Sequence, residues 1–312
     1  MKILMIFLSY IGNGFSKTGG DTYFIEISRR LLKKGHRIPI LTTRNGAKLL
    51  DNEGLKSDIY IVDLPLIGKI PWFFDYLWRA FIIPLRINPS RFSDVDIIVS
   101  TSPLLPDVIV TAFFSAILDK AKPIIYHHGF VTPLMLSKYN FIQRFLAVSI
   151  QRKFLTWILR KFSFTFFALP TAREDLLILG TPKEIIKDMV NGIDIKVIDD
   201  IKAKKKLFDG IFMGSIIPGK GILDLPEIWR NVVDVFPKAR LAILGTGPHK
   251  FINKLKKEIK ERNIEKNIVL LGSILGPRKY VLLNPQRSLY FQVTVRIGPL
   301  ALWRLCIAAF HA

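Results

Sequence analysis

Short apolar runs alternate along the chain with amphipathic segments, and the two periods separate strands from helices. KILMIFLS near the start is a continuous apolar run of the kind shown by a strand buried on both faces. In TYFIEISRRLLKKG, which follows, Phe24, Ile27 and Leu31 share one helical face opposite Arg29, Arg30 and Lys33. RIPILTT, DIYIVDL, DVDIIVS and KPIIYHHG predict further strands, PDVIVTAFFSAIL a helix, and the stretch from about Asn140 to Lys161 a long helix. FTFFALP then predicts a strand, and AREDLLILG a short helix closed by Gly180. After the polar, aperiodic segment NGIDIKVIDDIKAKKK the alternation resumes through LFDGIFMGS, GILDLPEIWRNVVDVF, ARLAILG, FINKLKKEIKER and NIVLLGS. Strands alternating with helices predict parallel sheets, and so an α/β chain of two Rossmann-like halves, residues 1–200 and 201–312.

Length agrees with that division, since 312 residues exceed what a single hydrophobic core usually reaches. Half of the residues are hydrophobic and 23% are charged, which excludes disordered, collagen-like and coiled-coil chains. The net charge of +21 favours anionic partners: phosphates, acidic lipids or nucleic acid. Nucleic acid ranks low, because the charge is spread through both halves and the aromatics fall in apolar segments. The single cysteine, Cys306, rules out an intrachain disulfide or a thiolate metal site and suits a reducing, cytoplasmic compartment. MKILMIFLS begins like a secretory signal, but no small-residue cleavage site follows. No uncharged stretch is long and apolar enough to predict a membrane span.

Several loops could carry chemistry. IGNGFSKTGGD follows the first strand, and Gly19 and Gly20 would let backbone N–H groups approach a phosphate at a helix N-terminus. The dinucleotide fingerprint is not met, because Lys17 stands where its third glycine belongs. MGSIIPGKGI is expected to put Lys220 and Gly221 at a helix N-terminus, where the lysine can neutralise a diphosphate. Gly245 and Gly247 in LGTGP again allow close backbone approach, a plain turn being the equal alternative. In YHHGF one of His127 and His128 could face a ligand, with a structural histidine equally compatible with the spacing. The histidines are too scattered for a metal site, and the D-x-D of Asp94 and Asp96 reads as the start of a strand. PWFFDYLWRAFIIPLR and FIQRFLAVSIQRKFLTWILRKF combine aromatic and basic residues, which suits peripheral attachment to an anionic membrane face; a core helix with a wet basic side is the alternative.

Taken in order over residues 1–284, TGGDTYFIEISRRLLKKGH, HHG, MVNGID, MGSIIPGKGI, LAILGTGP and NIVLLGS resemble the family 4 glycosyltransferases of GT-B architecture. The resemblance implies two Rossmann-like domains facing a cleft. It also implies hexosyl transfer from a nucleotide-sugar to a glycan or lipid-linked acceptor, with retention of configuration and with neither metal nor cofactor. By the same resemblance Gly19 and Gly20 match the loop near the donor diphosphate, Lys220 the lysine that binds it, and His128 a histidine that contacts the transferred sugar. Ser215 stands where that family commonly has an arginine. No acidic residue follows Glu265, so the pair of glutamates expected in the second domain is missing. The second domain is therefore expected to be incomplete, through a frameshift near Asn284 to Arg287, with an inactive remnant as the alternative reading.

Overall fold

The computed structural model describes residues 1–10, 17–63, 72–129, 141–161, 164–189, 207–272, 274 and 289–291. The expected linker 191–206, the loop glycines Gly12 and Gly14, and the frameshift positions 284–287 lie outside them. Two compact units are formed, one from Met1–Val131 with Phe141–Asn191 and one from Thr132–Asn140 with Gly192–Ala312.

The first unit is built on a parallel sheet of seven strands: β1 (Ile3–Phe7), β2 (Ile40–Thr42), β3 (Ile59–Ile61), β4 (Ile97–Ser100), β5 (Lys122–His127), β6 (Thr165–Ala168) and β7 (Ile186–Asp188). Their order is β3-β2-β1-β4-β5-β6-β7, so the direction of winding reverses between β1 and β4. The register sets Met5 opposite Ile40 on one side and Val99 on the other. Every residue of β1 is buried, as a strand covered on both faces requires. One face packs on α1 (Gly19–Lys33) and α2 (Arg44–Asn52), through Phe24, Ile25, Leu49 and Leu50. Against the other lie α3 (Trp72–Arg86), α4 (Leu105–Ile117) and α5 (Phe141–Lys161), through Ile83, Val110, Phe114, Leu155 and Ile158. A shorter helix, α6 (Pro170–Ile178), follows β6.

The second unit repeats the plan in four parallel strands, β8 (Gly210–Met213), β9 (Leu241–Leu244), β10 (Ile268–Gly272) and β11 (Leu289–Phe291), in the order β10-β9-β8-β11. Helices α7 (Leu225–Val235) and α8 (His249–Glu261) cover one face around the fully buried Trp229. β11 lies in the segment expected to leave the native fold, yet Leu289, Tyr290 and Phe291 pair with Gly210, Ile211 and Phe212 and extend the sheet.

Candidate functional site

In sheets of this order, ligands bind beyond the carboxyl ends of the strands, where the winding reverses. In the first unit that place holds the loop after β1, the start of α1 and the loops after β4 and β5. Helix α1 begins with a capping box. Thr18 Oγ1 accepts from the Asp21 N–H (3.2 Å), and the Asp21 carboxylate accepts from the Thr18 N–H (2.7 Å). Gly19 and Gly20 are the next two residues, and their N–H groups are first-turn donors that this box does not use.

Alternation along β5 separates the two histidines. Ile125 and His127 point to the α4 and α5 side, whereas Tyr126 and His128 point to the α1 side. His127 is wholly buried beside Phe166, and burial, helped by the neighbouring His128, pushes its pKa down to about 4. His128 lies against the α1 N-terminus: a Cβ at Gly20 would stand 3.2 Å from its Cδ2 and 3.4 Å from its Nε2. Tyr23 meets the His128 ring edge to face at 5.6 Å. Burial lowers the His128 pKa, opposed by a hydrogen bond with the Thr101 backbone, so the ring is neutral at physiological pH. Its Nε2 is buried and has no hydrogen-bond partner among the described residues. With the other ring nitrogen donating to the Thr101 backbone, Nε2 of the neutral imidazole is an acceptor for a hydroxyl brought to the helix end.

Two residues that sequence reasoning did not single out hold this end of the sheet together. Asp107, in the first turn of α4, accepts from the Leu8 N–H (2.7 Å) and the Ser9 N–H (2.9 Å), and from the Ser102 hydroxyl. It thereby ties the loop after β1 to the loop after β4, across the reversal. Burial raises its carboxyl to about 7, against the lowering effect of its donors. Arg79 of α3 is also buried; it donates to the carbonyls of Tyr10 (2.7 Å) and Leu8 (3.3 Å) and pairs with Asp75 at 2.6 Å. Signals for both were present: a lone carboxylate in the apolar LPDVIVTAFFSAI, and an i,i+4 pair of opposite charges in an aromatic helix.

In the second unit the loop after β8 runs Gly214, Ser215, Ile216, Ile217 into a 3-10 turn, Pro218–Lys220. Lys220 was expected at a helix N-terminus and is not there. Gly221, left-handed at φ 66°, ends the turn, and Pro226, one of the first residues of α7, fixes the helix start further on at Leu225. Lys220 is exposed, as is Ser215. Gly245 and Gly247 do admit a close backbone, and it belongs to the loop after β8. A Cβ on Gly245 would stand 1.8 Å from the Gly214 carbonyl oxygen, and one on Gly247 2.2 Å from that of Ile216. The Gly214 N–H donates to Leu244 O (3.0 Å) and the Ile216 N–H to Thr246 O (2.9 Å), carrying the β8–β9 pairing past the strand ends.

Asp94 and Asp96 lie before β4, at the opposite end of the sheet, where Asp94 pairs with Lys2 Nζ (2.6 Å) and Asp96 accepts from the Lys2 N–H (2.7 Å). Among the described residues no group of three or more His, Cys, Asp or Glu gathers as a metal site would need. The candidate residues thus fall into two groups, Gly19, Gly20 and His128 in one unit and Lys220, Gly221, Gly245 and Gly247 in the other.

Two α/β units of this winding define the GT-B fold. No protein-family model matches the chain, and no curated protein matches it in sequence. Solved structures do. HepE of Anabaena, in complex with UDP, superposes with a TM-score of 0.66 at 15% identity, over 98% of this chain and 78% of HepE. A glycosyltransferase from Rickettsia africae gives 0.63 at 16% identity over 95% and 73% of the two chains. TarM of S. aureus, solved with UDP and α-GlcNAc-glycerol among its ligands, gives 0.54 at 13% identity over 88% and 77%.

Proposed function

We propose that the chain is a glycosyltransferase that moves a sugar from a nucleotide-sugar donor to a glycan or lipid-linked acceptor, with retention of configuration. The observation that carries this reading is the repeated plan: each unit sets a glycine-bearing loop directly after its first strand, at the reversal of its sheet. That is where phosphate-bearing ligands meet backbone N–H groups in α/β folds. The similar structures of HepE and TarM, both with UDP, support a nucleotide-sugar as donor.

In this reading Lys220 supplies positive charge to the donor diphosphate from the turn after β8, with Gly221, Gly245 and Gly247 shaping the backbone around it. His128 binds the transferred sugar through its buried Nε2, beside the Gly19 and Gly20 N–H groups. Charge that develops on the leaving nucleotide is then balanced by cation and amide donors, with no metal or cofactor invoked. The acceptor is taken by the first unit.

Titrating the purified chain with UDP- and GDP-sugars and following thermal stability tests the donor. A ligand at a hundred times its dissociation constant adds about 2.7 kcal/mol. Lys220→Ala should weaken binding about tenfold, the loss of one charge-assisted hydrogen bond. Because Lys220 is exposed, the unliganded melting temperature should stay put. No stabilisation by any nucleotide-sugar, or no release of nucleotide diphosphate with any acceptor, rejects the reading.

A further inference from the structure

Helices α3 and α5 leave an unusual amount of ring surface in solvent. On α3, Phe74, Phe81 and Leu85 are exposed (62%, 43% and 76%) and share one face at i, i+7 and i+11, while Tyr76, Ala80 and Ile83 turn inward. On α5, Phe141, Phe145, Leu146 and Trp157 are exposed, Trp157 by 54%, while Gln151, Leu155 and Ile158 are buried. Ring contacts join the two helices: Phe81 meets Phe154 at 5.5 Å, and Phe154 meets Trp157 at 6.2 Å. Phe81 and Trp157 therefore belong to one surface, and Phe141 stacks with Phe145 further along the exposed side of α5.

Among the described residues of α3 and α5, the exposed charges have a single sign. The α5 sequence FIQRFLAVSIQRKFLTWILRK has five basic residues and no acidic one. Asp75 is the sole acid of α3, and it is buried against Arg79. Arg86, Arg152 and Lys153 are exposed. At about 100° per residue, Arg152 shares a strip of α5 with Phe141 and Phe145, and Lys153 the next strip with Leu146 and Trp157. Protein interfaces are depleted of lysine at their centres, whereas rings interleaved with cations match the headgroup layer of a bilayer. No helix among the described residues is long and apolar enough to cross a membrane.

We propose that the face formed by α3 and α5 docks the protein on an anionic lipid bilayer, with the rings of Phe81, Phe145 and Trp157 in the interface and Arg152 and Lys153 on headgroup phosphates. The surface lies wholly in the first unit and is independent of the donor reading, since none of its residues belongs to either candidate site.

Co-sedimentation of the full chain with phosphatidylglycerol-rich vesicles, against pure phosphatidylcholine, tests it. Binding should require the anionic lipid and fall with salt. Arg152→Gln with Lys153→Gln should lower partition about thirtyfold, two cations at about 1 kcal/mol each. Trp157→Ala should lower it at unchanged net charge; if that variant fails to fold, Phe145→Ala replaces it. Lys254→Gln with Lys256→Gln on α8 removes the same charge elsewhere and should change partition by less than about threefold. Equal losses from both charge pairs, equal binding to neutral vesicles, no binding at low ionic strength, or a stable dimer that Trp157→Asp dissociates would each overturn the proposal.

Discussion

Replacing Asp107 by asparagine keeps an oxygen for the Leu8 and Ser9 N–H groups and removes the titration. Burial raises this carboxyl from 3.8 to about 7, so the folded chain holds the proton more tightly than the unfolded chain. Its stabilising contribution is fully present below about pH 4 and is lost as pH rises through 7. The shift corresponds to about 4 kcal/mol over the whole window, at 1.36 kcal/mol for each pKa unit. Asp107→Asn should therefore gain about that much relative to the wild type between pH 4 and pH 8. Asp107→Ala leaves the buried Leu8 N–H, the Ser9 N–H and the Ser102 hydroxyl without their acceptor, and should cost about 3 to 5 kcal/mol. Urea unfolding across this pH range gives the difference, and amide exchange at Leu8 assigns it to the first unit, because a two-unit chain need not unfold in one step. Parallel pH profiles for wild type and Asp107→Asn would refute the argument, as would an alanine variant as stable as the asparagine one.

His127 carries the opposite slope: its pKa of about 4 means that stability is present above about pH 6.5 and is lost as pH falls through 4, by about 3 kcal/mol. His127→Asn should flatten that acid limb in a urea series. Gly245→Ala should cost more than about 3 kcal/mol or abolish folding of the second unit, because its Cβ would fall 1.8 Å from a backbone oxygen at φ 147°. Gly35→Ala, with φ 82° and open space around the Cβ, should cost only about 1 kcal/mol in the same melts.

Much of the candidate site was legible as position. The strand-loop-helix order placed Gly19 and Gly20 at the start of the helix after β1 and Gly245 and Gly247 in the loop after β9, which is where they lie. Spacing alone did not separate the histidines, and His128 was singled out only by the family resemblance, since YHHGF allows either to face α1 until the register of β5 with β4 and β6 is fixed. The start of α7 was misplaced because GKGI looks like a helix opening, while Gly221 and Pro226 together delay it to Leu225. Arg79 belongs with this group. It sits in an aromatic and basic stretch that suited a membrane face, and only packing shows the guanidinium turned onto the Leu8 and Tyr10 carbonyls.

Local periodicity determines what neighbours in sequence can decide by themselves: which segments are strands, which are helices, and that parallel sheets result. Only the tertiary structure decided what depends on groups far apart in the chain. Leu8 meets Asp107, Gly20 meets His128, and Gly245 meets Gly214, each across a separation that no periodic pattern encodes. The physical reason is that a buried donor or acceptor must find its partner wherever the fold brings one, and a backbone can approach only where a side chain is absent.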